Sequence, residues 1–317
     1  MPIKPPRLKY GDTIAIIAPA SAPPDLKVID RSVEVVERLG FKPKLSAHVR
    51  KRRGFLAGTD RERASDLIKA FTDPEVNAVL CMRGGYGSAR LLPLLDFEII
   101  RANAKIFIGY SDITSLHCAF LRKANLVSFH GPMLNSDLIK KDIPDFTLQS
   151  FRRVLMQGEP SGAIRQGYTK KSVRIVRSGQ ASGPLLGGNL SVLCTTLGTP
   201  YQPSFQNVIL FIEDVDEVPY RFDRMFTHLL NAGLLQRVAG VAIGVNSNCT
   251  GPKAAKLKEY RQTLADVLKE RLLPLKIPVA SGLPFGHVSF NATIPVGVRA
   301  TLDATRGELF INEAAVR

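Results

Sequence analysis

The chain has no tryptophan, and aromatic residues make up only 7% of its 317 residues. It therefore offers no evident platform on which nucleic-acid bases could stack. The net charge of +15 is spread along the sequence, and its densest cluster is the basic run at residues 50–53. We expect no nucleic-acid partner and interpret the charge as a solvated basic surface that attracts a carboxylate-rich substrate.

Long apolar runs are also missing. The longest, at residues 238–245, is far shorter than the roughly 20 residues that cross a bilayer. The start of the chain, which is rich in proline, lacks the apolar segment of a secretory signal. These absences predict a protein of the cytoplasm with no membrane partner.

Cysteine is scarce as well, with four in the whole chain and no Cys-x-x-Cys pair. Zinc sites and disulfide frameworks need clustered or paired cysteines. The sequence therefore predicts neither a metal site nor a disulfide, and the cysteines are interpreted as small core residues in a reducing compartment.

What is present is a chain that is 45% hydrophobic and long enough for two domains. Its first half alternates strand and helix patterns, with strands predicted at residues 13–18, 41–45 and 76–81 and helices at 26–39 and from Thr59 or Asp60 to residue 71. Such alternation predicts an α/β fold in which a doubly wound parallel sheet is covered by helices on both faces. Loops at the carboxyl ends of these strands should build the site.

The second half is less regular. Apolar periodicity is lost at residues 157–171, which we interpret as a linker between an N-terminal domain (1–156) and a C-terminal domain (172–317). We predict turns at 182–189, strands at 208–212, 238–245 and 277–280, and helices at 220–232 and 253–272. This pattern predicts a smaller α/β domain with a more irregular sheet.

One serine lies at a sharp turn between a strand pattern and a helix pattern. Ser111 follows the apolar run 105–108 and precedes the helical pattern 113–121. A serine at such a turn exposes its hydroxyl beside helix-start N–H groups, as the nucleophile of a serine hydrolase does. The spacing is not Gly-x-Ser-x-Gly, because Ile113 follows Asp112. These residues alone favour a helix N-cap, so a nucleophile needs support from elsewhere in the chain.

A glycine-rich loop at residues 83–88 follows the strand predicted at 76–81. Its backbone N–H groups are suited to binding an anion. It lacks the third glycine of a dinucleotide fingerprint, and the chain has no P-loop. If the loop lies beside Ser111, an N–H near Gly85 or Tyr86 could share an oxyanion with that of Asp112. The alternative is a tight turn that merely needs glycine.

A serine nucleophile needs a base, normally histidine, which a carboxylate orients. Of five histidines, His287 has the most accessible setting, in a loop of glycine and proline after a strand. His130 suits either the site or a structural turn, whereas His117 is expected to pack inside. Glu213 and Asp214 end the apolar strand 208–212. That position suits a catalytic carboxylate and a helix N-cap equally well.

Six ordered motifs together resemble the L,D-carboxypeptidases, the serine peptidase family that also contains the microcin C7 self-immunity peptidases. The resemblance spans nearly the whole chain and departs at no motif position. The motifs are Arg83-Gly84-Gly85-Tyr86-Gly87-Ser88, Gly109-Tyr110-Ser111-Asp112, Gly187-Gly188-Asn189, Glu213-Asp214-Val215-Asp216-Glu217, Tyr220-Arg221-Phe222-Asp223-Arg224 and Gly286-His287.

This resemblance implies that Ser111 is the nucleophile, His287 the general base and Glu213 the carboxylate that orients it. It implies an oxyanion hole formed by backbone N–H groups of Gly85 and Asp112. It also implies an N-terminal domain similar to class I glutamine amidotransferases and a C-terminal sheet similar to a swivelling barrel. The triad would then be divided between the two domains, so that the site lies in the cleft between them.

The resemblance further implies the release of terminal D-alanine from cytoplasmic murein tetrapeptides, in peptidoglycan recycling, through a serine ester and without metal or cofactor. The candidate substrate-binding residues are Arg83, Tyr86, Asn189 and Arg221. Arg221 suits a structural ion pair equally well. The family's habit suggests a homodimer.

Two other functions compete with this one. An immunity-type peptidase would cleave a peptidyl-nucleotide antibiotic and would need an aromatic clamp for the base, which the lack of tryptophan disfavours. A non-catalytic protein would use the glycine loops only to hold an anionic ligand. Turnover of a peptide substrate distinguishes the enzymes from the binding protein.

Overall fold

The computed structural model describes residues 1–168, 173–249 and 262–317. In chain order the strands are β1 (Thr13–Ile17), β2 (Lys42–Leu45), β3 (Val76–Cys81), β4 (Ile106–Gly109), β5 (Ser128–His130), β6 (Gly162–Ala163), β7 (Arg174–Arg177), β8 (Gln180–Asn189), β9 (Ile209–Glu213), β10 (Gly240–Ile243), β11 (Val279–Ser281), β12 (Ile294–Val296), β13 (Arg299–Asp303) and β14 (Glu308–Ile311). The helices are α1 (Lys27–Arg38), α2 (Asp60–Thr72), α3 (Phe97–Ala102), α4 (Thr114–Ala119), α5 (Asp145–Met156), α6 (Leu190–Thr195), α7 (Pro219–Asn231) and α8 (Leu264–Leu272).

The first half forms the predicted doubly wound sheet, in the strand order β12-β5-β4-β3-β1-β2. Strands β1 to β5 pair in parallel, and β12 pairs antiparallel with β5 at one edge. The inner strands β3 and β4 are almost wholly buried, because helices cover both faces, which explains their continuous apolar runs. Helix α2 begins where the sequence predicted, since Thr59 and Glu62 form a capping box.

The second sheet has eight strands in the order β6-β14-β13-β8-β9-β10-β11-β7. Its centre, from β8 to β11, is parallel, while the outer pairs are antiparallel. The second half is therefore a mixed α/β structure with the more irregular sheet, as predicted. The predicted helix 253–272 is described only from Leu264, since residues 250–261 lie outside the described residues.

The prediction of turns at residues 182–189 is wrong, because these residues lie within the long strand β8. Glycine serves close approach there rather than chain reversal. A Cβ on Gly187 would lie 1.7 Å from the carbonyl oxygen of Phe211 in β9, and one on Gly183 would lie 2.1 Å from that of Asn207. Only glycine lets these backbones come so close.

The two halves of the chain are interlocked rather than separated at residues 157–171. Within this predicted linker, β6 pairs with β14 at the edge of the second sheet, and residues 169–171 lie outside the described residues. Farther along the chain, β12 returns to complete the first sheet. Strand β12 thus belongs to the first sheet although it follows the predicted boundary, and a three-residue strand with a distant partner gives no local signal of that pairing.

Of the residues the structure describes, none forms a helix long and apolar enough to cross a membrane. The same residues contain no group of three or more His, Cys, Asp or Glu side chains placed to hold a metal ion.

Candidate active site

The turn after β4 places Ser111 at the carboxyl edge of the first sheet. Ser111 has a φ of +63°, in the left-handed region that non-glycine residues seldom adopt. A short 3₁₀ turn, Ser111–Ile113, follows and runs into α4. Strain of this kind is typical of a strand-to-helix turn that projects a nucleophile.

His287 lies within hydrogen-bonding distance of Ser111. Its Nε2 is 3.1 Å from the Ser111 Oγ, and its Nδ1 is 2.7 Å from Oε2 of Glu213. The hydroxyl of Ser247 donates a 2.8 Å hydrogen bond to the His287 carbonyl, which holds the loop in place. Three residues that are distant in sequence thus form one hydrogen-bonded series.

Glu213 is the last residue of β9 and is completely buried. Gly286 lies against it with a φ of +109°, and a Cβ there would lie 2.9 Å from the Glu213 Oε2. The glycine before His287 is therefore required both by its backbone conformation and by the space that the carboxylate occupies. In the described part of the chain, Oε1 of Glu213 has no hydrogen-bond partner.

Burial and charge act in opposite directions on His287. Burial lowers its pKa, whereas the hydrogen bond to Glu213 and the negative charges of Glu213, Asp214 and Asp137 raise it, and the net pKa is raised. A histidine with a raised pKa is a stronger base toward a serine hydroxyl.

The glycine loop lies directly against the Ser111 turn. A Cβ on Gly84 would be 3.0 Å from the Ser111 Cβ and 3.2 Å from the backbone nitrogen of Asp112. The next residue, Gly85, has a φ of +100° and packs on the Ser21 side chain. Glycine therefore lets the loop that carries the predicted Gly85 donor touch the turn that carries the Asp112 donor. The loop therefore fits both interpretations of its glycines. Gly85 has the positive φ of a tight turn, and Gly84 allows the loop to lie beside Ser111.

The cap interpretation predicts that a side chain of this turn caps the helix that follows. The Asp112 carboxylate does not do so. Its Oδ2 instead accepts a 2.8 Å hydrogen bond from the backbone N–H of Ser88, at the start of the 3₁₀ segment Ser88–Leu94 in the glycine loop. Asp112 therefore caps the 3₁₀ segment that begins at Ser88, and not the helix that follows its own turn.

The predicted substrate-binding residues divide into two groups. Arg83 and Tyr86 lie on the glycine loop, and the Tyr86 ring is exposed beside Phe55, with 5.7 Å between the ring centroids. Asn189 is only 3% exposed, and its side chain caps α6 and bonds Asp214. Arg221 pairs with Glu217, which is the structural alternative left open for it. The surroundings of Asn189 therefore argue against its direct contact with a ligand.

The other two histidines considered for the site are buried. His117 is held by Ser128 Oγ and the Gly109 carbonyl oxygen, each at 2.8 Å, and its interior position is as predicted. His130 packs edge-on against Phe211, and within the described residues neither of its ring nitrogens has a partner. Burial holds the pKa of His130 well below its ordinary value. Its place in β5 is structural.

A cavity of about 560 Å³ opens beside His287 and contains residues that sequence reasoning missed. It is lined by Tyr110, Asp137, Lys140, Tyr168, Val245, His287 and Phe290, among others. Asp137 is 6% exposed, and burial raises its pKa to about 6. Lys140 is exposed and supplies a positive charge. Asp137 and Lys140 both follow β5. The only sequence signal for them is the general rule that the loops after parallel strands build the site.

Comparison with known proteins gives matches along most of the chain. Residues 14–131 match the family model of the LD-carboxypeptidase N-terminal domain, and residues 182–302 match that of the C-terminal domain. A probable murein peptide carboxypeptidase of Bacillus subtilis is 39% identical over 99% of this chain and 95% of its own length.

Two solved structures are similar over their whole length. The muramoyltetrapeptide carboxypeptidase of Oxalobacter formigenes aligns with a TM-score of 0.82 and 34% identity over 95% of this chain and 99% of the other. MccF in complex with glutamyl sulfamoyl guanosine aligns with a TM-score of 0.87 and 28% identity over 100% of both chains.

Proposed function

Since this chain belongs to the LD-carboxypeptidase family, we propose that it hydrolyses the L,D peptide bond that releases terminal D-alanine from murein tetrapeptides. The family membership makes it a serine-type hydrolase. The murein substrate comes from its similarity to the Bacillus and Oxalobacter proteins, which are named for that activity.

One observation carries the proposal, namely the series Glu213–His287–Ser111, whose central residue, His287, lines a cavity. We assign Ser111 as the nucleophile, whose hydroxyl gives its proton to Nε2 of His287 as the oxygen attacks the carbonyl carbon. Glu213 holds the ring with Nδ1 protonated. N–H groups of Gly85 and Asp112 would stabilise the oxyanion.

When the C–N bond breaks, His287 returns the proton to the amine of D-alanine, which leaves a serine ester. Water then attacks the ester, with His287 again acting as the base, and frees the tripeptide. The steps use only protons, water and the side chains described.

The cavity suits the leaving residue. His287 must face the departing amine, and it lines this cavity. A terminal D-alanine carries a carboxylate, and Lys140 is a cation in the same wall. Lys140 is thus added to Arg83 as a candidate anchor for that carboxylate, while Arg221 is engaged with Glu217.

The test is mass-spectrometric analysis of purified protein incubated in EDTA with a synthetic murein tetrapeptide that ends in D-alanine. Release of D-alanine and tripeptide supports the proposal. The matched control is the same peptide ending in L-alanine, which should remain intact. Equal cleavage of both peptides, or of neither, contradicts the proposed substrate.

The second candidate function, cleavage of a peptidyl nucleotide, is favoured by the alignment with MccF. The exposed Phe55–Tyr86 pair, whose tyrosine lies on the glycine loop, is an aromatic surface on which a base could stack. A competition assay that offers both the tetrapeptide and an aminoacyl sulfamoyl nucleotide separates the two functions.

Assembly and compartment are parts of the same proposal. We propose a homodimer that works in the cytoplasm, as the family resemblance implies, and the four cysteines are all free. Light scattering of the purified protein tests the dimer, and cell fractionation tests the compartment.

A further inference from the structure

The two segments that carry the proposed oxyanion donors come from different parts of the chain. Residues 83–88 follow β3, and the Ser111 turn follows β4. Gly84 brings the two into contact, with its Cβ position 3.0 Å from the Ser111 Cβ. Contact alone does not fix how far apart the Gly85 and Asp112 N–H groups lie.

A buried carboxylate links these segments. Asp112 is 6% exposed, and its Oδ2 accepts a 2.8 Å hydrogen bond from the Ser88 N–H. Burial raises the pKa of Asp112, while its hydrogen bonds with Ser88 and the charge of Arg63 act in the opposite direction. The carboxylate of the turn therefore holds the backbone of the loop at Ser88.

The loop returns a hydrogen bond to the turn. The Ser88 hydroxyl donates a 2.6 Å hydrogen bond to the Asp112 carbonyl and also lies 2.6 Å from the Ser115 hydroxyl. All three side chains are buried. Reciprocal bonds of this kind set both the separation and the register of two segments, because neither can slide without breaking one bond.

The far side of the loop is held by Arg63, which is only 1% exposed. Its Nη1 donates a 2.8 Å hydrogen bond to the Gly87 carbonyl and another to the Pro19 carbonyl. The loop is thus fixed between a buried cation on one side and the Asp112 carboxylate on the other.

We propose that Asp112 is a positioning residue whose carboxylate sets the distance between the two oxyanion donors, its own N–H and that of Gly85. It acts through the loop and does not touch the substrate with its side chain. Oxyanion donors must lie within about 3 Å of the developing charge, and losing one costs about 10²–10³ in kcat. The inference rests on the proposed serine chemistry but does not depend on a murein substrate.

The test compares Asp112→Ala with Asp96→Ala. Asp96 caps α3 by accepting hydrogen bonds from the N–H groups of Glu98 and Ile99, at 3.0 and 3.1 Å. Both substitutions remove one charge and the oxygen that accepts from backbone N–H groups, whereas asparagine would keep an acceptor. Asp96 therefore controls for the loss of a cap away from the site.

For Asp112→Ala we expect kcat for D-alanine release to fall by about 10²-fold with little change in KM. The inhibition constant of a peptide boronic acid, which forms a tetrahedral adduct with Ser111, should rise by a similar factor. Asp96→Ala should change neither value. If folded Asp112→Ala keeps its kcat, the proposal is overturned.

Ser88→Ala serves as the second variant where Asp112→Ala fails to fold. It removes the returned hydrogen bond and keeps the carboxylate, so a smaller fall in kcat with unchanged KM is expected, and an unchanged kcat overturns the proposal. Acylation by a nitrophenyl ester is followed in parallel. If the wild type does not cleave the tetrapeptide but is acylated faster than Asp112→Ala, the murein substrate is refuted and the positioning role is supported.

Discussion

Replacing Glu213 with glutamine removes the negative charge behind His287 and leaves the shape of the side chain almost unchanged. In the native site the Glu213 Oε2 accepts a hydrogen bond from the protonated Nδ1 of His287, with 2.7 Å between the two atoms. A glutamine can present its NH₂ to Nδ1, and the ring then carries its proton on Nε2, which can no longer accept from Ser111. An amide in place of the carboxylate lowers kcat by about 10⁴-fold in the Ser-His-Asp proteases, and we expect a loss of that order for Glu213→Gln.

The pH profile should change as well. His287 must be neutral to act as a base, so kcat/KM rises as the pH rises through its pKa, which lies above the ordinary value of 6.5. The substitution removes the hydrogen bond to the Glu213 carboxylate and its charge, the two largest causes that raise the pKa of His287, so the pKa falls. The acid limb of the profile should therefore lie above 6.5 in the wild type and move to lower pH in Glu213→Gln.

Two neighbouring carboxyls broaden the limb in the wild type, because protons bound by them oppose the protonation of His287. Asp137 and Asp214 each have a pKa of about 6, raised chiefly by burial. Both lose their charge as the solution is acidified, and each loss lowers the pKa of His287 at the pH where that residue is itself taking up a proton. The nearby His130 remains neutral, since burial depresses its pKa.

The assay is kcat/KM for D-alanine release across about pH 5 to 8, with the His287 ring followed by NMR titration. Glu217→Gln is the control, because Glu217 pairs with Arg221 and, among the described residues, no hydrogen bond or ion pair joins Glu217 to His287. A wild-type limb at or below 6.5, or a limb that moves upward in Glu213→Gln, refutes the argument.

Three more outcomes are expected. Ser111→Ala should lower kcat by about 10⁶-fold while circular dichroism shows a folded protein, and appreciable turnover rules Ser111 out as nucleophile. Lys140→Met should raise KM for the tetrapeptide with kcat held, whereas the exposed neighbour variant Lys141→Met should not, and equal KM values contradict the anchor. Buried His117, with a pKa lowered to about 4, stays neutral in the folded chain while the unfolded chain takes up a proton below 6.5. The wild type should therefore lose about 3 kcal/mol of unfolding free energy relative to His117→Asn as the pH falls from 6.5 to 4, and a constant difference in chemical denaturation contradicts this.

Local signals explain what the sequence predicted well. The continuous apolar runs of β3 and β4 report burial on both faces, and Thr59 with Glu62 marks a helix start. The positions of Ser111, Glu213 and His287 after strands follow from the rule that parallel strands present functional groups at one edge. Their roles came from the family resemblance and remain predictions.

Non-local geometry explains what was missed. Gly187 is needed because its backbone lies close to that of Phe211. In the sequence, such a glycine cannot be told from a glycine in a turn. Asn189 stands in a family motif, but only the fold shows that its amide is used by Asp214. Asp137 carries no motif and becomes part of the cavity only when the segment after β5 packs beside His287.

Strand β12 also bears on how the protein is made. Ribosomes synthesise the chain from its N-terminus, and domains commonly fold as they emerge. Here β5 exposes a free edge until residues 294–296 have been synthesised, and an open edge invites pairing with other chains. His287 emerges just before that strand, so the closing of the first sheet and the arrival of the base at Ser111 belong to the same late stage of synthesis. A nascent chain therefore carries its serine, without the means to activate it, through most of its translation.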